Sequence, residues 1–220
     1  GWWVQVPSHR YDITSEEDLM EEIARHYGYN RFPATLPAWV AQGSPSQWAG
    51  EERIVRNTLS GLGYSEAYTI PFGNARTQHD FAPDRNQVTI LNPLSEESPV
   101  LRTSMVPSML RALQRNLNRG MKDIQLYELG KIYPKDGERQ QLVLGATGKL
   151  QHKTVHDKER SLDFFAIKGD IETLLEAFNV SMGFSTTNLP SYFHPTRSIR
   201  VGEVAILGEL HQDYTDLFKL

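Results

Sequence analysis

Apolar residues between Ser15 and Gly28 recur at helical spacing. Leu19, Ile23 and Tyr27 occupy positions i, i+4 and i+8, which predicts a helix with one inward-facing stripe. Ser15 is the predicted N-terminal cap, because its hydroxyl can accept a hydrogen bond from a first-turn N–H. Gly28 is the predicted end of the helix, since glycine tolerates the backbone conformation that closes a helix.

The rest of the chain mixes helical and strand patterns irregularly. Predicted helices run from Ser46 to the Gly61–Gly63 pair with Trp48, Val55, Leu59 and Leu62 inward, from Val106 to Gly120, over 167–178 and near Tyr214. Predicted strands cover residues 64–72, 88–91, 124–133 with a possible bulge near Gly130, 142–146, 199–201 and 204–207. Strand pairs joined by short turns favour an α+β fold with an antiparallel sheet flanked by helices over a parallel sheet.

A stretch rich in helix-breaking residues separates the first helix from this larger part. Residues 31–45 contain Pro33, Pro37, Gly43 and Pro45, which together interrupt regular structure. We therefore expect two domains, residues 1–45 as a small helical piece and residues 46–220 as the sheet-containing domain.

Composition narrows the class of protein. The chain has 39% hydrophobic and 23% charged residues, which is typical of a globular domain. It has no cysteine, which excludes disulfides and thiolate chemistry. The net charge of −4 argues against a strongly basic nucleic-acid binder. No apolar run reaches membrane-spanning length, so we expect a cytoplasmic location and no membrane partner. The start at Gly-Trp-Trp and the end at Lys-Leu suggest a piece of a longer protein.

Carboxylates converge on the outward face of the first helix. Asp18, Glu21 and Glu22 lie at i, i+3 and i+4, and Asp12 precedes the helix and could fold back toward them. Carboxylates so close repel one another unless a cation joins them, and Mg²⁺ prefers such oxygen ligands. Spacing alone leaves two interpretations open, a solvated acidic face or a Mg²⁺ site.

The run Val-Pro-Ser-x-Arg-x-Asp-Ile…Glu-x-Asp-Leu-x-Glu-Glu-Ile-Ala-Arg-x-Tyr-Gly-Tyr resembles a signature of the beta subunits of bacterial phenylalanyl-tRNA synthetases. Further segments resemble the same family, in the family's order: 91–105, 109–118, Leu-Tyr-Glu-Leu-Gly-Lys-Ile-Tyr at 126–133, and Gly-Glu-Leu-His at 208–211. The resemblance implies that Asp12, Asp18, Glu21 and Glu22 bind a Mg²⁺ shared with the alpha subunit.

The resemblance also implies a fold and a role. Residues 1–45 would end a helix-turn-helix-like (winged-helix-like) domain, and residues 46–220 would form a truncated, catalytic-like class II aminoacyl-tRNA synthetase domain. The family enzyme is an α2β2 tetramer that uses ATP to attach phenylalanine to tRNA(Phe), with catalysis in the alpha subunit. Here residues 118–123 lead straight into the next strand without room for a paired-strand ATP clamp, so we expect no catalytic residue in this chain.

Two rival functions are a free-standing nucleic-acid-binding module and an independent Mg²⁺-dependent enzyme that uses the acidic cluster. A basic stripe opposite the leucines of the third predicted helix could touch tRNA phosphate, face solvent or contact a subunit. It comprises Arg111, Arg115, Arg119 and Lys122. His194-Pro-Thr-Arg197 resembles a His-Pro-Gly-Arg turn of the family, with Thr196 in place of glycine.

The resemblance finally predicts which apolar side chains would be exposed to solvent in the isolated chain. In class II synthetases the helix-and-strand pair that resembles residues 46–72 lies at a subunit interface. Candidates for exposure are therefore Trp48, Tyr68, Ile70 and Phe72. An exposed apolar patch would favour self-association of the isolated fragment.

Overall fold

The computed structural model describes residues 1–36 and 43–220. The chain divides into two compact units, Gly1–Pro45 and Ser46–Leu220. Residues 37–42, which include Pro37 of the proline-rich stretch, lie outside the described residues. No helix in the described part of the chain is long and apolar enough to cross a membrane.

The first unit contains one α-helix, α1 (Glu16–Tyr27), and a short 3-10 turn, among its described residues. The predicted boundaries are confirmed, because Ser15 is the N-cap and Gly28, with φ of 103°, follows the last turn. The predicted inward stripe is wrong for Ile23 and Tyr27, which are 68% and 54% exposed. No residue of α1 is buried, since the unit is too small to surround a core, and Tyr27 packs edge-on against Phe32 with Arg31 over its ring.

The second unit contains five helices and ten strands among its described residues. The helices are α2 (Ala49–Gly61), α3 (Ala75–Phe81), α4 (Val106–Leu117), α5 (Phe164–Ala177) and α6 (Gln212–Phe218). The strands are β1 (Ser65–Glu66), β2 (Phe72–Gly73), β3 (Val100–Leu101), β4 (Ile124–Ile132), β5 (Arg139–Thr147), β6 (Lys149–Gln151), β7 (Arg160–Ser161), β8 (Phe184–Ser185), β9 (Phe193–Val201) and β10 (Ala205–Leu210).

The hairpin β4–β5 is the longest strand pairing in the described structure. Its antiparallel register runs without interruption from Ile124 opposite Thr147 to Ile132 opposite Arg139. The bulge predicted near Gly130 is therefore wrong. Gly130 serves a different purpose, since a Cβ built on it would lie 2.6 Å from Nη2 of Arg102. The glycine makes space for a buried guanidinium group.

The antiparallel sheet predicted from the sequence is only partly correct. β1 pairs parallel with β4, with Ser65 beside Leu126, to give the order β1-β4-β5. Residues 64–72 do not form the single strand that was predicted, but two short ones. Residues 88–91 contribute a single bridge from Thr89 to Val100. The other sheets, β10-β9-β8, β2-β3 and β6-β7, are small and antiparallel. The architecture is a mixed α+β fold.

The β4–β5 hairpin lies between two helical layers. Successive side chains of a strand point to opposite faces, and here Leu126 packs with α4 whereas Tyr127 packs with α2 and α5. On the α4 side, Leu110 and Leu113 meet Ile124 in a cluster that extends to Phe81, Tyr192 and Phe218. The hairpin therefore has one face covered by α4 and the other by α2 with α5.

The segment between β1 and β2 holds side chains that point out of the molecule. Tyr68 and Ile70 are 79% and 71% exposed, and Trp48 is 54% exposed, as the resemblance predicts. The inward position also predicted for Trp48 is wrong, because its side chain is more than half exposed where the residue precedes α2 as the N-cap. Phe72 is only partly exposed, because it enters β2 and pairs with Leu101 of β3.

Candidate functional site

Arg10 is the centre of the acidic cluster in the first unit. Its Nη2 atom donates to Oδ2 of Asp12 and to Oε1 of Glu22, in both cases at 2.8 Å, and its Nε donates to Oδ1 of Asp12 at 3.0 Å. Asp12 lies before α1 and Glu22 lies on its second turn. Because one nitrogen atom bonds both carboxylates, the structure brings these two predicted ligands together around a positive charge.

A second arginine completes the neutralisation of Glu22. Nη2 of Arg25, three residues further along α1, lies 2.5 Å from Oε2 of Glu22. The hydrogen bonds from Arg10 and Arg25 lower the pKa of Glu22 to about 2. The hydrogen bond from Arg10 also lowers the pKa of Asp12. Both carboxylates are therefore ionised at neutral pH.

The two remaining predicted ligands occupy different surroundings. Oδ2 of Asp18 accepts hydrogen bonds from the backbone N–H groups of Thr14 and Ser15, both at 2.8 Å, which is the acidic half of a capping box. These backbone donors lower the pKa of Asp18. Glu21 is exposed, and its carboxylate makes no hydrogen bond or ion pair with the residues that the structure describes.

The four carboxylates therefore do not form a ready metal site. Within residues 1–36 and 43–220, no group of three or more His, Cys, Asp or Glu side chains is arranged to hold a metal ion. Oxygen ligands of the right chemistry are present, but a guanidinium nitrogen occupies the point where Asp12 and Glu22 converge, and Asp18 is used by the helix cap. A Mg²⁺ ion does not fit this arrangement unless Arg10 moves away.

The second unit contains a buried polar network centred on Arg102. Its Nη1 donates to Oε1 of Glu128 at 2.8 Å and to Oγ1 of Thr69 at 2.9 Å, and its Nε donates to the Lys131 carbonyl at 2.8 Å. The Thr69 hydroxyl donates in turn to Oε2 of Glu128 at 2.6 Å. Both carboxylate oxygens of Glu128 thus have a partner.

This network is suited to holding the fold together rather than to chemistry. Binding an ATP phosphate needs cations that face the substrate. Arg102 instead is buried against Glu128 and the backbone, with 5% of its side chain exposed. Gln78 is buried beside it, and its Oε1 accepts from the backbone N–H groups of Thr103 and Ser104. The pairing fixes the connection from β3 to α4 onto β4.

Arg10 and Arg102 were not assigned a role from the sequence. Arg10 stands two residues before Asp12, so a cation near that carboxylate could have been anticipated. Its contact with Glu22 spans twelve positions and depends on how the chain folds back onto α1. Arg102 stands in an apolar stretch, Val-Leu-Arg-Thr-Ser-Met, where a lone charge is a signal for a buried partner.

Family comparisons cover nearly the whole chain. Residues 32–220 match the family described as the phenylalanyl tRNA synthetase beta chain CLM domain, and residues 1–29 match the tRNA synthetase B5 domain.

Among curated proteins, the chain is similar to phenylalanine–tRNA ligase beta subunits. It is 34% identical to the protein of Carboxydothermus hydrogenoformans over 223 residues, which cover 95% of this chain and 28% of the relative. It is 37% identical to the protein of Geobacter metallireducens over 233 residues (98% and 29%). It is 34% identical to the protein of Bacillus subtilis over 222 residues (94% and 28%). The chain thus spans less than a third of the length of these relatives.

Two solved structures with a similar fold are tRNA synthetases. A pyrrolysyl-tRNA synthetase from Desulfitobacterium hafniense aligns with a TM-score of 0.56 at 15% identity, over 93% of this chain and 71% of the other. A structure of PylSc, a pyrrolysyl tRNA synthetase of the same organism, aligns with a TM-score of 0.51 at 20% identity, over 84% and 62%. At such low identity the likeness concerns the fold alone.

Proposed function

We propose, from the premise that this chain belongs to the family of phenylalanine–tRNA ligase beta subunits, that it supports the ATP-dependent attachment of phenylalanine to tRNA(Phe). The observation that carries the proposal is the family match over residues 32–220, together with relatives that align over nearly the whole chain. The contribution of this chain is to assemble with the alpha subunit, to supply Mg²⁺ ligands and to contact tRNA.

Two domains divide this work. We propose that residues 1–45 end a helix-turn-helix-like domain and that residues 46–220 form a catalytic-like synthetase domain. The division of the structure after Pro45 supports this boundary. The family matches change earlier, between residues 29 and 32.

The second unit acts as a scaffold without an active site, and catalysis belongs to the alpha subunit. Two observations support this part of the proposal. Arg102 forms a buried ion pair with Glu128, so its charge does not face a substrate. In addition, α4 is joined to β4 by residues 118–123 alone, a connection that carries the turn at Gly120 and no second strand. A phosphate clamp built from two strands has no place there.

The subunit interface involves the apolar side chains that this unit leaves exposed. Thr69 points inward to Glu128, so alternation along the extended segment directs Tyr68 and Ile70 outward on the same side. The backbone N–H of Ala67 bonds the Tyr127 carbonyl, which fixes this segment against β4. In the isolated chain the same surface favours self-association, and in the enzyme it is covered by another subunit.

Mg²⁺ is the proposed cofactor, with Asp12, Asp18, Glu21 and Glu22 as its ligands in the assembled α2β2 enzyme. The chemistry of the donor set supports the assignment, because carboxylate oxygens are the ligands that Mg²⁺ prefers, whereas the present contacts of Asp12 and Glu22 with Arg10 oppose it. When bound, Mg²⁺ would supply positive charge that offsets the carboxylates of this chain. Arg10 would have to release Asp12 and Glu22, and Asp18 would have to leave the helix cap.

Co-purification with a bacterial phenylalanine–tRNA ligase alpha subunit tests the proposal. We expect the 220-residue chain to form a stoichiometric complex with that alpha subunit. The variant Tyr68→Ser with Ile70→Ser should fail to do so, and the control variant Val155→Ser with Val204→Ser, which changes exposed apolar residues elsewhere, should bind normally. Absence of a complex with the unmodified chain would contradict the proposed function.

A further inference from the structure

The outer face of α4 and the turn after it carry four cations. Arg111 and Arg115 lie one turn apart on the helix, and Arg119 and Lys122 follow in the turn before β4. All four side chains are exposed, and none forms an ion pair with the residues that the structure describes. These four residues are called the α4 basic face below.

The charge of this region differs from that of the rest of the chain. Residues 98–122 contain no Asp or Glu, although the whole chain has a net charge of −4. On α1 and α2, by contrast, Arg25 and Arg56 pair with acidic residues of the same helix, Glu22 and Glu52. Among the described residues, no carboxylate forms an ion pair with the α4 basic face, and the nearest in sequence, Asp123, pairs with His152.

The packing of α4 fixes the direction of this charge. Met109, Leu110 and Leu113 are buried against the β4–β5 hairpin and its neighbours, so the opposite side of the helix faces away from the core. Arg111 and Arg115 are separated by one helical turn, about 6 Å of rise. Such a row of guanidinium groups can bond successive phosphate groups, each through two parallel N–H donors.

The helix dipole gives a competing reason for cations near the end of α4. Cations stabilise the last turn of a helix, but this effect fades beyond that turn. Arg111 lies six positions before the final residue of α4, Leu117, and Lys122 lies beyond the helix altogether. The dipole therefore accounts for Arg115 and leaves the extended row unexplained.

We infer that the α4 basic face binds the phosphate backbone of RNA. The occupant follows from charge complementarity, because a row of unpaired cations without carboxylates fits a polyanion. Contacts of this kind position an RNA strand and do not read its bases. The identification of that RNA as tRNA rests on the proposed function above, whereas the phosphate contact itself rests on the charges of α4.

Fluorescence anisotropy of labelled tRNA(Phe) with the 220-residue chain, measured over a range of salt concentrations, tests the inference. The variant replaces Arg111, Arg115, Arg119 and Lys122 by Gln. The matched control replaces four other exposed cations that lack an ion pair among the described residues by Gln, namely Arg53, Arg76, Lys153 and Lys158. Each lost phosphate contact lowers the slope of log K against log salt by about 0.7 to 0.9.

We expect the α4 variant to bind at least about tenfold more weakly at low salt, with a slope that is smaller by about 3. The control variant should keep the slope of the unmodified chain. An unchanged slope in the α4 variant would overturn the inference, and so would an equal loss in the control. A variant that melts at lower temperature but binds tRNA normally would assign these cations to the helix dipole alone, which also overturns it.

Association with the alpha subunit separates this inference from the proposed function. If the α4 variant binds tRNA normally but no longer binds the alpha subunit, the face docks a protein and the inference is wrong. If the unmodified chain binds no alpha subunit yet shows the expected salt slope, the proposed function fails and the phosphate contact stands.

Discussion

Arg102 and Glu128 form an ion pair at 2.8 Å in which only 5% and 3% of the two side chains are exposed. Arg102 follows β3 and Glu128 lies in the middle of β4, so the pair joins two segments 26 residues apart in the chain. Removing charges from water to this extent is costly unless further hydrogen bonds satisfy them. Here Thr69 bonds both side chains, and the Lys131 carbonyl accepts from Arg102. The pair therefore belongs to the framework that positions α4 on the sheet.

Arg102→Met should strongly destabilise the second unit. The substitution leaves the Glu128 carboxylate buried with only the Thr69 hydroxyl as a partner, and breaking a buried pair in this way costs about 3–5 kcal/mol. Urea unfolding measures the loss. The control is Lys131→Met, on the same strand as Glu128. It breaks an exposed ion pair with Glu138 and should cost less than about 1 kcal/mol. Equal effects of the two substitutions would contradict the structural role of Arg102.

Gly130→Ala should disturb the hydrogen-bond network around Arg102, because it adds a methyl group beside the guanidinium group. The added Cβ would lie 2.6 Å from Nη2 of Arg102 and 3.1 Å from Cε of Met105, so both side chains would have to move. Overpacking of this kind costs about 1–3 kcal/mol. Gly169→Ala in α5, where a Cβ meets nothing within 4 Å, is the control and should keep or slightly raise the free energy of unfolding. A neutral Gly130→Ala would show that the guanidinium group does not need this space.

Asp170 should make the stability of the second unit depend on pH. Burial raises the pKa of this carboxyl above its ordinary value of 3.8, although a hydrogen bond from Tyr64 Oη opposes the shift. A raised folded-state pKa means that the folded chain binds the Asp170 proton more tightly than the unfolded chain does. The contribution of Asp170 to stability is therefore greatest at low pH and falls as pH rises from 3.8 through the folded-state pKa.

Asp170→Asn isolates this contribution, because the amide oxygen can still accept from Tyr64 but never ionises. Relative to the unmodified chain, the variant should gain stability as pH rises through that window, and the difference should then level off. Urea unfolding at a series of pH values measures the difference between the two proteins. A difference that is constant with pH would mean that burial does not raise the pKa of Asp170.

Arg10→Gln should increase the affinity of the first unit for divalent cations. In the unmodified chain, Arg10 neutralises Asp12 and Glu22 and occupies the point where they meet. We therefore expect weak Mg²⁺ binding by the chain without the alpha subunit, and binding at least several-fold tighter in the variant. Mn²⁺ titration followed by electron paramagnetic resonance measures it, with Arg53→Gln as the control. Equal Mn²⁺ binding by all three proteins would argue against a metal site at these carboxylates.

The helices and the main hairpin could be predicted from sequence because their causes are local. Ser15, Asp18 and Gly28 specify the ends of α1 within fourteen residues, and those ends are confirmed. The apolar spacing of α4 and the successive strand patterns at 124–133 and 142–146 likewise predicted the helix and the two strands that form the β4–β5 hairpin. In each case the residues that determine the element lie within it or beside it.

Features that depend on distant residues could not be predicted in the same way. The parallel pairing of Ser65 with Leu126 needs segments about sixty residues apart, and alternation of apolar residues does not specify its direction. Gly130 was interpreted as a sign of a bulge. The sequence does not show that the Arg102 side chain lies next to this glycine. The spacing of the acidic residues indicated the cluster. The hydrogen bonds that Asp12 and Glu22 accept from Arg10, however, depend on the path of residues 7–14.

The central claim is that this chain is an assembly-forming part of a phenylalanine–tRNA ligase and not itself a catalyst. Phenylalanine-dependent ATP–pyrophosphate exchange tests it most directly, with the purified chain alone, a bacterial alpha subunit alone, and the two together. The account predicts no exchange above background for the chain alone and stoichiometric binding of the chain to the alpha subunit in the mixture. Exchange by the chain alone, or no complex in the mixture, would contradict it.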